Sequence, residues 1–201
     1  MTVPLQVRKI ADKCRREITQ DGDIPYSCRR ELLLSFDKPE SSSHPEEPRY
    51  RRTILALSCA EMTLDYWITV HPQDQRPQIL LDYLRSAIDG NYDAELLERE
   101  MFSLQTVIDD VTEENLSHFR AMYAGWSCLA AVAALLYDSP PIEESRGEIK
   151  IDPDEWDASF YSCAAYCGGA TWETVGDPQR RKEFWLWYLN EALDIAYANH
   201  A

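Results

Sequence analysis

"RRTILALSCAEMTLDYWITVHPQDQRPQILLDYLRSAI" (residues 51–88) holds two apolar periodicities separated by a break. Ile54, Leu57, Met62, Tyr66 and Val70 return at spacings of three to five, and Leu55, Cys59 and Trp67 widen the stripe. That spacing collects apolar side chains on one face of a helix, whereas a strand would alternate. "HPQDQRP" (71–77) ends the first helix, because prolines at 72 and 77 disfavour helix at the residues before them. Pro77 suits the first turn of a second helix, with Ile79, Leu80, Tyr83, Leu84 and Ile88 on its inner face.

The same logic extends outward. "DGNYD" (89–93) stops one helix and restarts another, with Asp93 as cap, and Leu96, Leu97, Met101, Leu104, Val107 and Ile108 carry it to about residue 111. Thr112 is a capping candidate for a helix running through "FRAMYAGWSCLAAVAALLY" to residue 137. After the irregular stretch 138–155, Asp152 with Pro153 and Asp177 with Pro178 look like two further helix starts. The glycine pair in "CGGAT" (167–171) falls in a helical stretch, where a close helix crossing would offset its poor propensity. "LSCA" (57–60), "WSCLA" (126–130) and "YSCAA" (161–165) echo one another as shared packing chemistry. The fold class is all-α: a compact bundle of antiparallel helices over residues 49–201, with a short N-terminal helical appendage and polar linker over 1–48. In that appendage short helices are expected at about 4–19 and 27–36, before the linker "DKPESSSHPEEP" (37–48).

Charge narrows the partner classes. The chain carries 35 acidic and 20 basic residues, a net −15. Residues 1–60 sum to +2 and residues 61–201 to −17. Nucleic acid and anionic membrane surfaces reward clustered Lys and Arg, so both are disfavoured, and a basic protein partner fits better. "MTVPLQVRKIADK" has no signal-peptide core, and no apolar run of about 18 residues suggests a membrane span, so a cytoplasmic location is expected. The six cysteines then read as reduced, mostly core-packed thiols.

No catalytic residue stands out. There is no phosphate loop, nucleophile elbow or dinucleotide fingerprint. Cys163 and Cys167 share a helical face without further ligands at metal-binding spacing, so neither metal nor cofactor is expected. Two segments suit partner binding instead. In "DPDEWDASFY" (152–161), Asp154, Glu155 and Asp157 bracket Trp156, an aromatic anchor among acids. In "EFWLWYLNEALDIA" (183–196), one stripe is Phe184, Tyr188, Glu191 and Ile195, and the next is Trp185, Leu189, Ala192 and Ala196. Trp187 lies off that face beside Glu191 and Asp194, a second anchor at the edge of a core-closing helix. The competing class is a helical enzyme or small-ligand binder whose pocket is lined by the glycine pair with Cys163 and Cys167.

Residues 50–197 resemble the fifth named immunity-protein family of bacterial polymorphic toxin systems. The resemblance rests on Cys59, Ala60 and Glu61 in the first helix, Arg76 and Pro77 opening the next, "AGWSCLAAVAALLY", and the aromatic close of "RRKEFWLWYLNEAL". Members often have Ala- and His-rich central helices, where this chain has "LLEREMFSLQTVIDD" (96–110). The resemblance implies a non-enzymatic antitoxin-like protein that binds and neutralises a cognate toxin. It brings no catalytic residues, and Cys59, Glu61, Arg76 and Pro77 would be structural. On our own inference, Arg76 would pair with Glu61 across the turn.

Overall fold

The computed structural model describes residues 2–38, 46–109, 116–137, 157–173 and 175–198. Among these residues every regular element is helical. In chain order they are α1 (Leu5–Arg16), α2 (Tyr26–Leu34) with a 3-10 turn at Ser35–Asp37, α3 (Glu47–Val70), α4 (Arg76–Ile88), α5 (Ala94–Asp109) and α6 (Leu116–Leu136). They continue with α7 (Ala158–Cys167), α8 (Pro178–Trp187), a π-helical turn at Tyr188–Ala192, and α9 (Leu193–Ala198).

The antiparallel pair α3 and α6 forms the centre. His71, just past α3, stacks on His118 at the start of α6 (6.4 Å between rings), while Arg49 at the other end donates to the Leu135 carbonyl (2.7 Å). Small residues of α6 let α3 approach. A Cβ on Gly125 would lie 2.9 Å from the Trp67 ring and 2.7 Å from the Ile108 side chain, so a larger residue there would have to push those two side chains aside. The three Ser-Cys echoes fall on α3, α6 and α7, which pack on one another. Cys59, Cys128 and Cys163 are buried, and Ser127 meets Ser162 at 2.6 Å while Thr63 meets Ser162 at 3.3 Å. These hydroxyls satisfy one another where water is excluded. Ser117–Leu136 is long and apolar enough to cross a membrane by length and composition, contrary to the sequence expectation, yet core helices pass the same test and just over half of the run is buried.

The helix boundaries follow capping chemistry. Asp93 accepts from the Leu96 amide (3.0 Å), and Asp177 accepts from Gln179 and Arg180 with Pro178 in the first turn. Thr112, Asp152 and Pro153 lie outside the described residues. The described helix α7 begins at Ala158, because Asp157 is extended and caps it through the Phe160 amide (2.9 Å). The glycine pair is also corrected. Gly168 (φ 89°) and Gly169 (φ 156°) end α7, the first in the left-handed C-terminal position that glycine occupies without strain.

The Glu61–Arg76 pair does not form. Glu61 binds Arg85 of α4 (2.7 Å), and Arg76 forks onto Asp74 within the turn (2.8 and 2.6 Å). Asp74 also accepts the Arg76 amide (3.1 Å), and its carbonyl receives the Trp67 indole N–H (3.2 Å), so the turn is tied to the core. Burial pushes the Asp74 carboxyl up, but the hydrogen bonds and charge of Arg76 outweigh it and hold it below its usual value. The partner is local because an Asp two residues away reaches the guanidinium with little ordering cost. Arg76→Ala should therefore cost about 1 kcal/mol in urea unfolding, and Glu61→Ala no more than about 0.5 kcal/mol. Equal costs would remove the structural role of the turn pair.

Candidate partner-binding surfaces

The start of α7 faces inward more than its sequence suggests. Asp154, Glu155 and Trp156 lie outside the described residues. Asp157 is described, and it bonds the guanidinium of Arg29 (3.0 Å), a side chain only 1% exposed. Arg29 in turn lies over the rings of Tyr26 (5.3 Å), Trp185 (5.5 Å) and Phe160 (5.9 Å). Nearby, Asp23 accepts the Trp185 indole N–H (2.6 Å); burial pushes its carboxyl up, while Arg29 and that hydrogen bond hold it back. Asp157 thus helps neutralise a buried cation and caps a helix. Its role is architectural first.

Trp187 is half-buried and packs at the edge of the core, 5.6 Å from the Phe184 ring. Glu191 and Asp194 beside it are exposed. Asp194 is bound by Arg8 of α1, and Arg15 donates to Asn190 (2.7 Å), so α1 lies along this end and offsets part of its charge. The buried side of the segment is Arg181, Phe184, Trp185, Tyr188, Leu189, Ala192, Leu193, Ala196 and Tyr197, with alternating steps of three and one. Two rows repeating every four residues drift off one face of a 3.6-residue helix, and the wider π-turn at 188–192 restores the alignment. The same turn puts Ile195, assigned to the inner stripe from sequence, at the surface.

A third surface lies on α5. The helix packs on α4 and α6 and fully buries only Leu97, Leu104 and Ile108. Its outer face carries Glu95, Glu98, Arg99, Phe102, Thr106 and Asp109, all exposed. Phe102 is 69% exposed, the most exposed aromatic among the described residues. The sequence stripe on this helix already skipped Phe102, and an aromatic left off the inner face was the signal to follow.

Cys163 and Cys167 are both buried. A hydrogen bond from Cys163 pulls the Cys167 thiol down to about 7 against the opposing effect of burial, with Arg181 assisting. The Cys167 sulfur also sits 3.0 Å from the Gly169 carbonyl, in packed surroundings. Among the described residues no three His, Cys, Asp or Glu side chains form a group that could hold a metal ion.

Against these surfaces stand two comparisons. A family model described as Immunity protein Imm5 matches residues 11–195, so the match takes in most of the N-terminal helices that the sequence resemblance left out. No curated protein matches the chain significantly.

Proposed function

The chain belongs to the Imm5 immunity-protein family, and from that membership we propose that it binds and neutralises a cognate protein toxin without chemistry of its own. The family match over residues 11–195 is the observation that carries this reading. The net charge of −15 supports a basic toxin, since opposite charge raises the encounter rate. The protein acts in the cytoplasm, where a toxin's intracellular target would be guarded. Neither nucleic acid nor membrane is needed as a partner.

Co-expression with a candidate toxin is the direct test. Growth should be restored, and the purified pair should elute as one complex. Raising salt from about 50 to 500 mM should slow association by roughly tenfold or more. Trp156, with Asp154 and Glu155, and Trp187, with Glu191 and Asp194, enter the same experiment as alanine variants that test the two acidic–aromatic segments. No rescue and no complex with wild type would sink the proposal, and a small ligand retained in native mass spectrometry would favour the ligand-binding alternative.

A further inference from the structure

We propose that the outer face of α5 is the docking surface for the toxin, with Phe102 as its apolar anchor and Glu95, Glu98 and Asp109 as its charged surround. The inference rests on the toxin-binding reading above and specifies where that binding occurs.

Phe102 is the unusual phenylalanine of this chain. Phe36, Phe160 and Phe184 are buried and Phe119 packs against the core, whereas Phe102 makes no ring contact among the described residues. Glu98 and Thr106 lie one turn to either side of it, and Glu95 and Asp109 lie two turns away, so these residues share its face. Residues 89–109 hold six acids (Asp89, Asp93, Glu95, Glu98, Glu100, Asp109) against Arg99 alone, a net −5. Arg99 is occupied by Glu100 (3.0 Å), and no cation among the described residues pairs with Glu95, Glu98 or Asp109. An aromatic held in water costs free energy, and the unneutralised carboxylates of Glu95 and Glu98, one turn apart, repel each other. A basic partner relieves both costs. It would present an apolar socket rimmed by Lys or Arg.

Charge also argues against the other occupants. A second copy meeting this one through the same face would oppose −5 with −5. Residues 138–156 carry seven acids and two bases, another −5, and would be repelled as a cover. Among the other aromatics, Trp187 packs against the core.

The probe is the purified toxin that the wild type neutralises on co-expression, measured by biolayer interferometry against folded, full-length variants. Phe102→Ala should weaken binding about 30-fold, mainly through faster dissociation, with its melting temperature unchanged. Glu95→Gln with Glu98→Gln and Asp109→Asn should slow association and flatten its salt dependence. Leu5→Ala, which removes an equally exposed apolar side chain from α1, should bind as wild type does. Wild-type affinity in Phe102→Ala would overturn the assignment, as would a large fall in its melting temperature. So would a dimer of the free chain, in sedimentation velocity, that Phe102→Ala dissolves. If the wild type itself binds no toxin, the functional reading has failed, which is distinguishable from a wild type that binds and a variant that binds equally well.

Discussion

Arg29→Ala should destabilise the protein by about 3 kcal/mol, lowering the melting temperature by roughly 6–12 °C in a chain of this size. Three consequences add. The first is an uncompensated charge: Asp157 loses its 3.0 Å partner and Asp23 loses the nearby cation that offsets its burial. The second is a void among Tyr26, Phe160 and Trp185, and the third is the cation–π contacts with those rings. The estimate sits at the low end for a broken buried pair because the Asp157 side chain is 29% exposed and retains some hydration. Two further measurements separate charge from packing. Arg29→Met with Asp157→Asn keeps an apolar filler and an oxygen able to cap α7, so it should recover the packing and Asp157 parts of the loss and leave the Asp23 part. The loss should also shrink in acid. Asp23 already has a carboxyl pKa raised above 3.8 by burial, and without Arg29 it rises further. A carboxyl that binds its proton more tightly in the folded state stabilises the fold below its unfolded pKa, and that contribution disappears as pH rises through the folded one. The variant should therefore be least impaired below about pH 4 and most impaired at neutral pH. A penalty that is flat with pH would show that packing, and not charge, sets it.

What the sequence revealed and what it hid divide along physical lines. Local rules were legible. Apolar spacing located α3 and α4, Asp177 with Pro178 started α8, and "DGNYD" stopped α4 and restarted a helix at α5. Those features depend on residues a few positions apart. Partner choice across the fold was not legible. Arg76 selects Asp74 two residues away over Glu61, while Arg29 and Asp157 pair across 128 positions. No periodicity encodes that encounter. Two misreadings came from treating a window as one helix. Gly168 ends α7 because its positive φ is available at the C-terminus, and the π-turn redirects Ile195 after Tyr188. For the binding surface, sequence ranked aromatics by the acids beside them and chose Trp156, which lies outside the described residues, and Trp187. Among the described aromatics exposure distinguishes Phe102, and exposure depends on which faces the neighbouring helices cover.

Gly22→Ala carries the second large effect, because it tests how the N-terminal segment joins the rest. The loop between α1 and α2 docks on α8. The Asp21 carbonyl accepts from Arg181 (2.7 Å), Asp23 accepts from Trp185 (2.6 Å), and between them Gly22 adopts φ +77°. A Cβ at Gly22 would lie 2.0 Å from the Pro178 carbonyl oxygen and 3.0 Å from the Lys182 nitrogen, both backbone atoms of α8. Backbone cannot swing aside as a long side chain can, so the loop must lift or α8 must shift. Left-handed strain of about 1 kcal/mol and overpacking of about 1–3 kcal/mol together predict a loss of about 2–4 kcal/mol. Gly90→Ala is the control. It has a comparable φ of +98° but nothing within 4 Å of the added methyl, so only the strain should remain, about 1 kcal/mol. The shape of the melt then bears on organisation. If residues 1–38 form one cooperative unit with the later helices, Gly22→Ala should move the whole calorimetric transition to lower temperature. An early minor transition, with the main one left in place, would instead mark the N-terminal helices as an appendage. A loss no greater than that of Gly90→Ala would mean that the loop yields at little cost and that the 2.0 Å approach does not hold it to α8.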